Sequence, residues 1–250
     1  MNRKSFTIAA LSLLFSAAFT ACTSDEDIDQ LNPSTSSDSN EIVFRVDNAA
    51  SARNASTRDM STEVTGFKVS ALDRGNAYFS SPVSVFSSGS SWSSTSKTYW
   101  PDGRALTFVA YVDQNPYGSS FELNDGTASF SDYEVPSNVS DQTDLMYAVA
   151  KDIRKDSSKG GVSLRFRHAL AQISFSAQNN SPVYESIEIL SIELGGVKGN
   201  GTYTFPEAST DASAKGQWSI DTDASDRSYT IDHLGVTLGA CDSSCKGEKV

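Results

Sequence analysis

The sequence predicts an all-β protein made of stacked sheets. Three observations predict it. From Glu41 onward the chain runs in short stretches of alternating apolar and polar residues, each closed by turn residues. No long apolar stripe recurs at helical spacing, and a 38% hydrophobic content combined with abundant Ser, Thr, Tyr and Phe suits thin β-layers better than helical bundles.

In chain order the first element is not a strand. Arg3 and Lys4 precede an apolar run from Phe6 to Phe19, closed by Phe19-Thr20-Ala21-Cys22. A positive start, a short apolar stretch and a small residue before the cut make a secretory signal over residues 1–21, with cleavage between Ala21 and Cys22. The cysteine after the cut is the site of lipidation, so Cys22 is expected to carry acyl chains that hold the mature protein on a membrane without a spanning helix. A transmembrane anchor would need about 20 apolar residues, more than this run supplies. Residues 22–40 hold Ser, Thr, Asp, Asn and Pro and almost nothing apolar. They are read as a disordered tether, because they cannot bury enough surface to offset their conformational entropy.

Ile42, Phe44 and Val46 alternate with polar partners, as do Phe67, Val69 and Ala71 before the turn at Asp73-Arg74-Gly75-Asn76. Each pattern predicts a half-buried strand. Leu106 to Val112 is apolar on both phases except at Thr107, which predicts a central strand covered on both faces. Val162, Leu164, Phe166 and Leu170 share one phase while Ile173, Phe175 and Ala177 share the other. Because a strand has period two, the slip near Ala169 to Ala171 implies a bulge or a change of sheet. His168 falls in phase with Leu164 and Phe166, which predicts an inward, hydrogen-bonded histidine. A second slip separates Ile187 and Ile189 from Leu190, Ile192 and Leu194, and Gly195-Gly196 with Gly199-Asn200-Gly201 bracket a tight turn. Asn179-Asn180-Ser181-Pro182 interrupts the strands, giving an N-terminal β-sandwich domain over 41–180 and a partial second β domain over 181–250.

Charge and chemistry exclude several functions. The net charge is −11, and loss of Arg3 and Lys4 with the leader leaves 18 basic residues against 31 acids, about −13. Nucleic acid is excluded as a partner, since a polyphosphate needs a basic patch. The sequence has no G-x-S-x-G elbow, no H-E-x-x-H and no phosphate-binding glycine loop, and only two histidines, His168 and His233. No catalytic residue, cofactor or metal site is assigned. Asp221, Asp223 and Asp226 have the oxygen ligands calcium uses but lack the glycine and distal glutamate of an EF-hand, so they read as a solvated acidic turn. Cys241 and Cys245, spaced C-x3-C, form a small disulfide loop in the leading reading, with two free thiols as the alternative.

The residues resemble one family in particular. Tyr99-Trp100-Pro101-Asp102-Gly103 followed by Leu106 to Tyr111, then Asp144 to Ala148, then Val162 to Ala171 are similar, in order and spacing, to the signatures of the fimbrillin family of Bacteroidota, the subunits of type V pili. With the leader, the resemblance covers residues 1 to about 180 closely and the remainder loosely. Ser24-Asp25-Glu26-Asp27 also resembles the acidic export signal that follows the lipidated cysteine in surface lipoproteins of that phylum. The physical reading of Pro101 and Asp102-Gly103 is a turn, with Tyr99 and Trp100 supplying apolar area at a sheet end.

What the resemblance implies is two transthyretin-like β-sandwich domains in series, the second apparently abbreviated. It implies a lipid-anchored outer-membrane protein at the cell surface or in a fimbrium, with other fimbrial subunits as partners and a host or bacterial surface ligand. In polymerising members an arginine-specific protease removes the first strand and a neighbour's segment fills the groove by strand addition. Here the candidate first strand is Ile42 to Val46, followed by the small, polar stretch Asn48 to Met60 carrying Arg53 and Arg58 as candidate processing sites. An uncleaved loop with two ordinary arginines is the alternative. At the level of function, the rival is a stand-alone surface lipoprotein that binds glycans or host proteins without polymerising.

Overall fold

The computed structural model describes residues 40–47, 64–88, 91–113, 120–181, 183–208, 215–240 and 248–249. The signal segment, most of the tether, Arg53, Arg58, Cys241 and Cys245 lie outside the described residues. In chain order the strands are β1 (Phe44–Val46), β2 (Gly66–Asp73), β3 (Asn76–Ala77), β4 (Val83–Ser88), β5 (Ser91–Ser94), β6 (Leu106–Asp113), β7 (Ser120–Asn124), β8 (Thr127–Glu134), β9 (Leu145–Ile153), β10 (Val162–Leu164), β11 (Arg167–His168), β12 (Ser176–Ala177), β13 (Ser186–Val197), β14 (Asn200–Thr204), β15 (Gln217–Ile220), β16 (Arg227–Gly239) and β17 (Glu248–Lys249). The only helical pieces among the described residues are two single 3-10 turns, at Val139–Asp141 and Lys155–Ser157.

One sheet sits in the middle. Its strand order is β11-β9-β6-β2-β4-β5, with β3 folded back on β2, and the pairs β2–β6 and β6–β9 are antiparallel. The apolar residues of β6 divide between two cores. Leu106, Phe108, Ala110 and Val112 join Phe44, Phe67, Val162 and Leu164 on one side, while Val109 and Tyr111 join Phe130, Tyr133, Tyr203 and Phe205 on the other. β9 divides likewise, with Met146, Ala148 and Ala150 on the first side and Leu145, Tyr147 and Val149 on the second. An antiparallel strand covered on both faces must be apolar on both phases, and the composition of β6 and β9 meets that demand.

The covering layers differ in kind. On the second side lies a four-stranded sheet, order β15-β14-β8-β7. β14 pairs with β8 across about 70 residues of sequence, with Tyr203 opposite Phe130 and Thr204 opposite Ser129. The division expected near residue 180 therefore passes between strands that share this sheet. Tyr133, Tyr147, Tyr203, Phe205 and Trp218 interlock there at ring separations of 5.0–5.8 Å. Burial first, and hydrogen bonding to Tyr147 second, hold the Tyr203 phenol well above its ordinary pKa. On the first side lie β1 and β10, paired in parallel, with Phe44 opposite Val162 and Val46 opposite Leu164.

The chain does change sheets after β10, but earlier than the sequence predicts. β10 belongs with β1, whereas β11, three residues on, pairs with β9 in the middle sheet. The crossing falls at Arg165–Phe166. This turns His168 outward: it is exposed, and its Nδ1 is bonded to the Asp144 carboxylate. The inward histidine expected from phase is thus corrected, because phase carries no information across a break between sheets. Ile173 is also exposed, 59%, and only Ser176–Ala177 of the strand expected there is extended and paired.

The second predicted slip is a bulge. β13 and β16 form a long two-stranded ribbon whose register shifts between Ile189 and Ser191, leaving Leu190 exposed. The shift keeps Ile187, Ile189, Ile192 and Leu194 opposite Leu238, Val236, Ile231 and Tyr229, so the apolar residues stay on one face. Arg227 ties the ribbon to β8 by donating to Glu134 at 2.7 Å. Buried Asn179 holds its base, donating to the carbonyl of Tyr184 at 3.1 Å and accepting from the Ser181 amide at 3.0 Å.

Candidate functional site

The segment Asn40–Asp47 occupies a slot with two rails. Along its first half it runs antiparallel to Thr98–Trp100: the Ile42 amide donates to Thr98 at 2.8 Å, and the Trp100 amide donates to Asn40 at 3.0 Å. The Asn40 side chain adds a bond to the Trp100 carbonyl at 3.1 Å. Along its second half it runs parallel to β10, with the Val162 amide donating to Val43 at 2.7 Å and the Asp47 amide donating to Leu164 at 2.9 Å. The charged contacts are peripheral: Lys97 pairs with Glu41 at 3.4 Å, and Lys155 donates a hydrogen bond to the Asn40 side-chain oxygen at 3.2 Å.

The slot is apolar at depth. Ile42 is 1% exposed and Phe44 5%, and the ring of Phe44 meets Phe67 and Phe108 edge-on, at 6.2 and 5.7 Å. Such edge-to-face pairs add about 0.5–1.5 kcal/mol each beyond area burial. Val43 and Arg45 point away and are more exposed, as the alternation predicts. One glycine fits the slot to its occupant. Gly161 has φ +109°, and a Cβ placed there would stand 3.2 Å from the Val43 carbonyl oxygen and 3.3 Å from its Cγ2. The backbone conformation and the close approach both require glycine.

The Tyr-Trp-Pro turn belongs to this slot. Trp100 is 5% exposed and lies edge-on to Phe108 at 5.6 Å, while the turn closes at Asp102–Gly103 with Gly103 at φ +62°. Tyr99 is 41% exposed, and its contribution is a backbone carbonyl that accepts from the Tyr78 hydroxyl at 2.9 Å. Packing at a sheet end, expected of both rings, thus falls to Trp100 alone. The strand Ile42 to Val46 is legible in the sequence but its rails are not, since neither parallel pairing with β10 nor the docking of Thr98–Trp100 leaves a local signal.

The other singled-out groups lie apart from the slot. The Asp223 amide donates to the Asp221 side chain at 3.0 Å, and Lys198 bonds Asp226 at 3.0 Å, so that stretch is an acidic turn with one of its three carboxylates paired to a lysine. Among the described residues, no three His, Cys, Asp or Glu groups converge as metal ligands, and no helix is long and apolar enough to cross a membrane.

A profile of fimbrillin-like proteins matches residues 45–239, from within β1 to the last residue of β16. The chain belongs to the fimbrillin-like family. The match continues well past residue 180 and takes in the ribbon and the four-stranded sheet. Among solved structures, this fimbrillin-like chain is similar to the crystal structure of a candidate cell adhesion protein from Bacteroides uniformis, at 13% identity and a TM-score of 0.45, over 77% of this chain and 74% of that one. No curated protein matches it. A fimbrillin-like chain has its place as a subunit of fimbria-like appendages at the cell surface.

Proposed function

We propose that the protein is made as an outer-membrane lipoprotein, its precursor anchored through acylated Cys22, and that cleavage at Arg53 or Arg58, which cuts it from that anchor, lets it serve as a structural and adhesive subunit of fimbria-like appendages joined to its neighbours by β-strand complementation. The observation that carries this reading is the slot. Its occupant is a short segment held edgewise by two rails and buried through Ile42 and Phe44, joined to β2 by a stretch that contains Arg53 and Arg58. Cleavage at either arginine would separate the segment covalently from the rest of the chain. A neighbour's extended segment with apolar residues at alternate positions could then satisfy the same backbone groups and fill the same depth. The mechanism is display and assembly, with no turnover.

The test is digestion of the purified protein with an arginine-specific protease, with and without an excess of synthetic peptide spanning Glu41–Asp47. Cleavage that yields oligomers, suppressed by the peptide, is the expected result. A protein that resists cleavage and stays monomeric is instead a stand-alone surface lipoprotein that binds glycans or host proteins through its loops.

A further inference from the structure

At the end of the sandwich where the first hairpins of the two sheets turn, the described residues form an open cleft of about 510 Å³, within the range of small-molecule sites, ~300–1,000 Å³. Two tight turns make one wall. Arg74-Gly75 (φ +54° and +84°) joins β2 to β3, and Asp125-Gly126 (φ +48° and +78°) joins β7 to β8; both have the positive-φ pair of a type I′ turn. They touch through their glycines: a Cβ on Gly126 would lie 3.3 Å from the Gly75 Cα.

The charge of this cleft runs against that of the chain. Four cations line it, Arg74, Arg104, Lys151 and Arg154, on a protein of net charge −11. Arg104 is paired with Asp73, and Lys151 with Glu207 at 2.6 Å. Arg154 donates to the Gly103 carbonyl at 2.7 Å and meets no carboxylate, and the Arg74 side chain has no partner among the described residues. Arg74 is also a costly choice for its place. A first type I′ position favours Asn, Asp or Gly, and a non-glycine residue held there costs on the order of 1 kcal/mol. The turn therefore gives no reason for an arginine. Asp152, in the same lining, is likewise held at φ +55°.

We propose that this cleft binds an acidic saccharide, a sugar ring bearing a carboxylate, with Arg74 and Arg154 receiving the carboxylate and the neighbouring acids and threonines receiving the hydroxyls. Charge-assisted bonds from a guanidinium fork suit a carboxylate. Phosphate is a poorer fit, because Asp73, Asp152 and Glu207 share the lining and oppose a compact dianion, whereas a polyhydroxylated ring gives each of them a donor. Among the described residues no aromatic ring lines the cleft, so they offer no platform to a neutral sugar that depends on stacking. The inference deepens the adhesive half of the proposed function and rests on it.

The experiment is a calorimetric or NMR titration of the purified protein with glucuronic acid, N-acetylneuraminic acid, glucose and inorganic phosphate. One or both acidic sugars are expected to bind at about 1 mM or tighter, and glucose and phosphate to bind far more weakly. Arg74→Asn is the informative variant, since asparagine suits the turn. It should melt no lower than the parent and lose at least about tenfold in affinity, the loss typical of one charged hydrogen bond. Absence of acidic-sugar binding, binding unchanged in Arg74→Asn, or phosphate binding as tightly as the sugars would each overturn the inference. Protein that assembles after cleavage yet binds no acidic sugar overturns this inference alone. Protein that binds the sugar yet never assembles overturns strand complementation alone.

Discussion

Replacing Phe44 by alanine removes the deepest aromatic side chain of the first strand. The ring is 5% exposed and lies edge-on to Phe67 and Phe108. A buried Phe→Ala change costs about 3–5 kcal/mol, from lost transfer free energy and the cavity left behind. That is a large share of a typical domain stability of about 5–15 kcal/mol. If the segment is a separable occupant, the cost should fall on its docking rather than on the whole fold. Native-state hydrogen exchange then distinguishes the two. The amides of Ile42, Asp47 and Val162, which bond across the slot, should lose protection by a factor on the order of 10²–10³. The amides of β6 and β9 should keep most of theirs. Exchange that accelerates equally in all of these strands would refute the separability of the segment, and a loss under about 1 kcal/mol would refute its burial.

Three further outcomes are expected. Gly161→Ala, which forces a side chain into a φ of +109° and against Val43, should destabilise the protein by about 1–3 kcal/mol in urea titration and raise the rate of arginine-specific cleavage. Cys22→Ser should release the uncleaved precursor from the membrane fraction into the soluble fraction, read by fractionation and by the absence of acyl mass. Tyr203 has a folded pKa raised by burial, so its contribution is fully present below the unfolded value of about 10 and declines as pH rises above it. Stability should fall on the alkaline side of pH 10, and Tyr203→Phe should flatten that fall in denaturation curves measured from pH 8 to 11.

The middle of the molecule was legible because burial on two faces writes itself on both phases of a strand. Leu106 to Val112 is assigned to the centre with no knowledge of its neighbours, and a break in the ribbon near Leu190 follows from a one-residue slip, although the extra residues, 233–235, lie on β16 and Leu190 is exposed rather than in phase with Ile192 and Leu194. What remained hidden was pairing. β1 meets β10 more than 110 residues away, and β14 meets β8 across the interruption at Asn179–Pro182, so a local break in pattern looked like a division that the four-stranded sheet does not respect. His168 failed for a related reason. Its phase was counted from Leu164, but the chain leaves that sheet at Arg165–Phe166, and inside-outside alternation restarts with the new neighbours.

The candidate site divides the same way. Ile42 to Val46 and the Trp100 turn stand out as local patterns, and they do meet, through Ile42–Thr98 and Asn40–Trp100 bonds that no local pattern encodes. The cleft at the other turns was only half visible. Asp73-Arg74-Gly75-Asn76 reads as a turn, but Arg104, Lys151 and Arg154 enter from strand ends far apart in sequence. Asn124-Asp125-Gly126-Thr127, a type I′ signal as strong as any in the chain, was the cue that could have marked where the second sheet turns.

The most direct test of strand complementation is the intact mass and size distribution of the protein extracted from the cell surface. The account predicts a chain that begins just after Arg53 or Arg58, in oligomers that survive mild denaturant. An acylated monomer that begins at Cys22 and remains monomeric after arginine-specific digestion would contradict it.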